Sequence, residues 1–171
     1  MIHISPLQVS DLPDIEKLLD AGFGPARHNR TAYRLRDGAA PVAALSFGAR
    51  DGADLAGSLQ CWPVQLRTVA GAVVPMVLLG PVVTAADRRG QGIATQLIKA
   101  ALAAIDTQGD LPVMLIGDAP FYGRFGFSAA FTRGWQLPGP VAAERLLLRG
   151  GDAAINVTGW VERGSPARRA A

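Results

Sequence analysis

Arg88-Arg89-Gly90-Gln91-Gly92-Ile93-Ala94 follows an apolar run, Val77 to Val83, and precedes an amphipathic segment. The stretch reads as a strand–loop–helix anion cradle. Glycines at 90 and 92 let consecutive backbone N–H groups turn toward one point, and a helix starting immediately afterwards adds unpaired N–H donors and the positive end of its dipole. A pyrophosphate fits such a cradle. Downstream, Ile93, Leu97, Ile98, Ala101, Leu102 and Ile105 recur at helical spacing and leave Gln96, Lys99 and Ala103 outside, so the loop caps a helix. A glycine stop at Gln108-Gly109-Asp110, then Pro112, ends it before a new apolar run, Val113 to Ile116, that reads as a buried strand. Strand, loop, helix and strand together predict a crossover βαβ unit with parallel strands.

A short glycine pattern also serves as a plain turn that starts a helix, so its context decides. A dinucleotide fingerprint asks for a third glycine and an acidic residue closing the next strand; here Ala94 and Thr95 follow, and Asp118 lies beyond Gly117. A Walker-type loop asks for Gly-Lys-Ser/Thr, which is absent.

The chain of 171 residues is 49% hydrophobic, enough for one globular domain with a substantial core. Residues 1–162 are expected to form it, with 163–171 a basic, frayed tail. Apolar runs are broken by Gly, Pro or charge before they reach membrane-spanning length, and the N-terminus lacks a secretion-signal layout, which predicts a cytoplasmic protein with no membrane partner. Cys61 stands alone, and His3 and His28 are the only histidines, so neither a disulfide within the chain nor a metal site is expected. Net charge is +3 and the pI is near 9.6. That excess suits an anionic ligand as well as it suits a bias in residue usage. The arginines are scattered rather than grouped with exposed aromatics, which argues against nucleic acid.

Outside the loop, Ile2 to Ile4 starts a strand, and Ser10-Asp11-Leu12-Pro13 starts a helix carrying Ile15, Leu18 and Leu19 that Gly22 and Gly24 end. A short second helix is expected between Arg27 and Arg36. Two strands are expected from Ala40 to Ala49 and from Leu55 to Val69, with Asp51-Gly52 as the turn between them. Residues 129–140 read as an irregular excursion, and 145–148 and 156–161 as late strands. The order predicts an α/β fold: a mixed, mostly antiparallel sheet with helices on both faces.

Arg89-Gly90-Gln91-Gly92-Ile93-Ala94 resembles the Arg/Gln-x-x-Gly-x-Gly/Ala acyl-coenzyme A signature of the GNAT superfamily of N-acetyltransferases. Phe121-Tyr122-Gly123-Arg124-Phe125-Gly126-Phe127 is similar to that family's aromatic-Tyr-x-x-x-Gly-Phe segment. With Leu79-Gly80-Pro81 before the loop and Gly117-Asp118 after the next strand, the pattern is most like the YhbS-type branch, and the resemblance runs from about Val77 to Phe127. It implies an acyl-CoA N-acyltransferase fold with a splayed parallel strand pair, and acetyl-CoA as acyl donor. It also implies cofactor-binding roles for Val82, Val83, Thr84, Arg89, Gly90, Gln91, Gly92, Ile93, Ala94 and Thr95. The main chain of residues 82–84 would receive the pantetheine arm and the acetyl oxygen, and Gly80-Pro81 is the interruption expected of a bulge beside it.

The resemblance makes Tyr122 the catalytic donor to the leaving thiolate. Its reference pKa of roughly 10 against about 8.5 for a thiol makes full transfer uphill, yet a hydrogen bond that strengthens as sulfur gains charge still helps. Packing among Phe121, Phe125 and Phe127 is the competing role. For the amine's proton, Asp118, Glu144 and His28 are candidates, although Asp118 also suits a cap before Pro120. The acceptor region falls between Phe23 and Trp62. Cys61 and Trp62 either line it or pack in the core, and Asp37, Asp51 and Asp54 look like turn residues, which disfavours a polycationic acceptor. The expected activity is transfer of acetyl to a primary amine of a small molecule or protein. A non-catalytic acyl-CoA-binding sensor and a transferase of longer acyl groups remain as alternatives, and a homodimer is open.

Overall fold

The computed structural model describes residues 1–152 and 155–165. Along the chain run β1 (Ile2–Pro6), α1 (Leu12–Phe23), α2 (Thr31–Arg36), β2 (Phe47–Asp51), β3 (Asp54–Thr68), β4 (Val73–Thr84) and α3 (Ile93–Thr107), then β5 (Val113–Ile116), α4 (Ala119–Tyr122), β6 (Trp135–Gln136), β7 (Leu146–Arg149) and β8 (Gly159–Arg163). Hydrogen bonding orders the strands β1-β2-β3-β4-β5-β7, with β8 pairing β3 and β6. The pairs β1–β2, β2–β3, β3–β8 and β5–β7 are antiparallel, whereas β4–β5 and β6–β8 are parallel. The mixed, mostly antiparallel sheet is the one the sequence predicts.

Residues group into two compact units interleaved along the chain. The first holds Met1–His28, Pro41–Cys61 and Leu79–Gly109; the second holds Asn29–Ala40, Trp62–Leu78 and the described residues from Asp110 onward. The long strands β3 and β4 contribute residues to both.

In the first unit, helices lie on both faces of the strands. A Cβ at Gly57 would stand 2.9 Å from the Ile93 side chain and 3.4 Å from that of Leu97, so this face carries α3. The helix turns Ile93, Leu97, Ile98, Ala101 and Ile105 inward, all buried, each side chain larger than alanine contributing about 1.5–3 kcal/mol as it leaves water. On the other face Ile15 and Leu19 of α1 cluster with Val83, and Leu7, Leu18, Phe23 and Leu55 pack around them. Gly22 lies inside α1 rather than ending it, because any Cβ there would come within 2.8 Å of Val83. The stop is Gly24 alone, at φ +77°. Arg27, in the turn after α1, is buried and ion-paired to Glu16 and Asp20 of that helix.

The second unit is built on a core that includes Leu35, Trp62, Leu66, Met114, Leu148 and Val161. Strand β5 pairs in parallel with β4 at Val77–Val113 and Leu78–Met114, and antiparallel with β7 from Val113–Arg149 to Ile116–Leu146. The crossover expected from the loop and its helix is therefore present.

Several expected boundaries move. The strand expected from Ala40 to Ala49 starts only at Phe47, after a 3-10 turn at Ala43–Leu45. Residues 42–46 bond across to Cys61 instead: Val42 N–H donates to the Cys61 carbonyl (2.7 Å) and Cys61 N–H to Ser46 Oγ (3.1 Å). The late strands start at Leu146, after a 3-10 turn at Ala143–Arg145, and at Gly159. Within the irregular excursion, Trp135–Gln136 makes a two-residue strand on β8. Of the expected tail, Arg163 ends β8 opposite Val64, Gly164 N–H donates to the Pro63 carbonyl (3.1 Å), and residues 166–171 lie outside the described ones.

Candidate functional site

The loop begins where β4 ends. Ala85 N–H donates to the Ala56 carbonyl on β3 (2.8 Å), and a 3-10 turn at Ala86–Arg88 follows. Arg88 Nη1 reaches Asp51 Oδ2 at the end of β2 (2.7 Å), while the other oxygen of Asp51 accepts from the chain's N-terminal ammonium (2.7 Å). The N-terminus, then Arg88, hold the Asp51 carboxyl below the usual carboxylate range. Asp51 thus clamps the loop as well as closing a turn, a pairing between residues 37 apart that no local pattern reveals.

Past the clamp, Arg89 is exposed, and Gly90 and Gly92 take φ +81° and +74°, the left-handed region that favours glycine. Gly92 is the N-cap of α3 and has no side chain to offer. The first helical bond runs from Gln96 N–H to the Gly92 carbonyl (3.1 Å). The N–H groups of Ile93, Ala94 and Thr95 therefore precede the helical ladder. A Cβ at Gly90 or Gly92 would meet nothing within 4 Å, so the mouth of the turn is open. Val82, Val83 and Thr84 of β4 belong to the same unit as this loop.

The parallel ladder between β4 and β5 is two residue pairs long, ending at Leu78–Met114. Gly80, with φ +126°, and Pro81 follow within β4, so the interruption anticipated there lies just past the ladder.

Tyr122 belongs to the second unit. It ends the single turn α4, its N–H donating to the Asp118 carbonyl (2.9 Å). Its ring meets Phe121 and Phe127 edge-on, at 4.9 and 6.0 Å between centroids. Gly117 makes room for it: a Cβ there would sit 2.5 Å from the tyrosine ring. Burial, and secondarily the Asp118 charge, push the Tyr122 phenol above its ordinary value, with Arg145 opposing. The group stays a donor across the neutral range.

Asp118 takes the N-cap position of α4, but its side chain makes no cap bond; the carboxylate lies 3.6 Å from Arg145 Nη2. Glu144 is exposed in the adjoining 3-10 turn. His28 sits in the turn after α1, in the first unit. Cys61 is fully buried and Trp62 nearly so, which settles both as packed rather than lining an open surface. Burial pushes the Cys61 thiol far up, so it stays un-ionised. The Asp37 carbonyl, after α2, accepts from Arg163, and Asp54 opens β3. Among the described residues, no helix is long and apolar enough to cross a membrane, and no group of three or more His, Cys, Asp or Glu is placed to hold a metal ion.

Comparison with known proteins bears on this geometry. An uncharacterized N-acetyltransferase of Streptomyces avermitilis is 30% identical over 132 residues, 75% of this chain but 31% of the relative, so the chain spans about a third of that protein. The uncharacterized N-acetyltransferase YhbS of Escherichia coli K12 is 29% identical over 154 residues, 89% of this chain and 90% of the relative. The crystal structure of E. coli YhbS in complex with CoA superposes with a TM-score of 0.75 at 28% identity, over 95% of this chain and 89% of that one. A GNAT family acetyltransferase from Brucella melitensis in complex with acetyl-CoA gives a TM-score of 0.63 at 27% identity, over 88% and 96% of the two chains. The acetyltransferase (GNAT) domain matches residues 3–130, and with the glycine-capped start of α3 and the strand order around it, this chain belongs to the GNAT acetyltransferase family.

Proposed function

We propose that this chain is an acetyl-CoA-dependent N-acetyltransferase, with residues 1–162 as its single catalytic domain. The observation that carries the reading is the open, glycine-built start of α3, where Gly90 and Gly92 hold positive φ and three helical N–H groups precede the first bond at Gln96. This surface suits a diphosphate: the amides from Arg89 to Thr95 supply donors, the helix dipole supplies positive potential, and the Arg89 guanidinium adds a charged donor. The crystallised relatives from E. coli and B. melitensis, bound to CoA and acetyl-CoA, support it.

When bound, the coenzyme supplies an acetyl thioester whose carbonyl the neutral amine attacks, forming an amide as the C–S bond breaks. The chain's own tasks are to hold, polarise and donate. Main-chain N–H groups of Val82, Val83 and Thr84 would receive the pantetheine arm and polarise the acetyl oxygen. The Tyr122 hydroxyl, kept protonated by its burial, would donate to the departing sulfur. No side-chain base is assigned: Asp118 is engaged with Arg145, and with an amine that arrives neutral the one proton its nitrogen loses as the amide forms passes to water.

The test is release of free thiol from acetyl-CoA across a panel of amines and peptides. Tyr122→Phe is expected to lower kcat about a hundredfold while leaving acetyl-CoA affinity nearly intact. Equal turnover by the variant would remove Tyr122 as donor. Tight acetyl-CoA binding with no thiol release for any amine would favour a non-catalytic sensor.

A further inference from the structure

Arg88 and Arg89 are neighbours in sequence, yet the fold uses them differently. Arg88 ends the 3-10 turn that follows β4, and its guanidinium lies between two carboxylates, with Nη1 2.7 Å from Asp51 Oδ2 and Nε 3.7 Å from Asp87 Oδ2. Arg89 is exposed. Asp51 is a firm anchor, because it sits in the sheet opposite both Ile2 of β1 and Asp54 of β3, and its second oxygen accepts from the N-terminal ammonium. Beyond the anchor, little else fixes the turn. Arg88 N–H donates to the Ala85 carbonyl (3.0 Å) and Gln96 N–H to that of Gly92 (3.1 Å), but among the described residues the N–H groups of 89–95 donate to no main-chain carbonyl.

A turn with glycines at 90 and 92 has many conformations, and only those whose amides converge can hold an anion. Apparent affinity falls by the fraction of time the turn spends elsewhere, so a contact that pins its first residue to the sheet raises affinity without touching the ligand. We propose that Asp51 and Arg88 are positioning residues for the coenzyme: their ion pair presets the turn from Arg89 to Thr95, and Arg89, not Arg88, is the guanidinium that meets the diphosphate. The proposal rests on the acetyltransferase reading. Charge supports this division of roles. A diphosphate drawn to Arg88 would come up against Asp51 and Asp87, which already offset that cation, and displacing Asp51 would undo the clamp. No such carboxylate pair brackets Arg89 among the described residues.

The experiment measures the dissociation constant of acetyl-CoA by titration calorimetry, and the melting temperature without ligand, for wild type, Arg88→Gln, Asp51→Asn and the double variant. Arg88→Gln is expected to weaken binding about fivefold, the scale of a partly exposed ion pair. The double variant keeps the wild-type net charge, so its affinity reports geometry alone; it should bind no more weakly than Arg88→Gln, since both lack the same contact. Arg88→Lys, which keeps the charge but not the planar fork, should fall between wild type and Arg88→Gln. Were Arg88 itself the ligand contact, Asp51→Asn would release it and tighten binding while Arg88→Gln weakened it, and that pattern overturns the proposal. Wild-type affinity in the double variant also overturns it, whatever the melting temperature does, because the pair is then only structural. Should the double variant be unfolded at the assay temperature, Arg88→Lys decides: weaker binding at an unchanged melting temperature supports the clamp, and unchanged binding removes it. In each of these cases wild type binds, and the acetyltransferase reading stands. A wild-type protein that neither binds acetyl-CoA nor is stabilised by it removes that reading, and this proposal with it.

Discussion

A tyrosine's role here follows from what surrounds its ring. Phe121 and Phe127 lie edge-on to Tyr122, and burial, with Asp118 adding to it, raises the phenol's proton affinity. A phenol harder to ionise is a poorer full proton donor and a more persistent hydrogen-bond donor, which suits a sulfur that gains charge gradually. The sign for stability is definite. Below the ordinary phenol value near 10, folded and unfolded chains both hold the proton. As pH rises through and beyond that value the unfolded chain loses it first, so the contribution of this group falls with alkalinity. Ultraviolet difference titration of wild type against Tyr122→Phe should show one phenol ionising above the usual range; a phenol titrating at its ordinary value would contradict the buried environment. The Tyr122 segment stands out in the sequence, but the partner of Arg88 does not. Asp51 lies 37 residues from Arg88, and nothing local in the sequence records that pairing.

At the scale of elements, the start of α3 is positioned by close approach to β3. Gly57 permits it: any Cβ would stand 2.9 Å from both the Ile93 side chain and the Val83 carbonyl, and backbone cannot yield as the end of a flexible side chain can. Gly57→Ala is therefore expected to cost about 1–3 kcal/mol through overpacking, read as a lower melting temperature, and to weaken acetyl-CoA binding by displacing the amides at Ile93 to Thr95. Unchanged stability and affinity would show that the helix start is not held by this contact. The same scale explains what the sequence revealed. The helix from Ile93 and the strand from Val113 were legible because periodicity, glycine and proline all agree there. The segment 40–46 was not, since its apolar residues resemble a strand while the N–H groups of Leu45 and Ser46 turn back to the Val42 and Ala43 carbonyls, and the Cys61 main chain accepts from the Val42 N–H and donates to the Ser46 hydroxyl. Nor was α4, a four-residue turn too short for any period to appear, although its tyrosine was. Gly22 misled for a related reason: a glycine chosen for packing against Val83 looks in sequence like one chosen to end a helix.

For the molecule as a whole, the two units share β3 and β4, and the change of unit in β4 falls between Leu78 and Leu79, where the parallel ladder to β5 ends. The diphosphate seat proposed at the start of α3 exists only when that unit is folded, so the affinity of acetyl-CoA should appear directly as thermal stability. At a concentration about a hundred times its dissociation constant, such a ligand adds about 2.7 kcal/mol. In a chain of this size each kcal/mol moves the midpoint by about 2–4 °C, so acetyl-CoA should raise it by about 5–10 °C. A net charge of +3 favours the anionic ligand at a distance, and the shift should shrink as salt rises, since charges farther apart than a Debye length are screened. Extending the series to propionyl- and longer acyl-CoA decides chain length. If the acetyl group is held against the main chain of Val82 to Thr84, stabilisation falls from acetyl to longer chains. A shift that grows with chain length would instead assign the chain to longer acyl groups, while an equal shift for free coenzyme A and every thioester would mean that the diphosphate end alone carries the affinity.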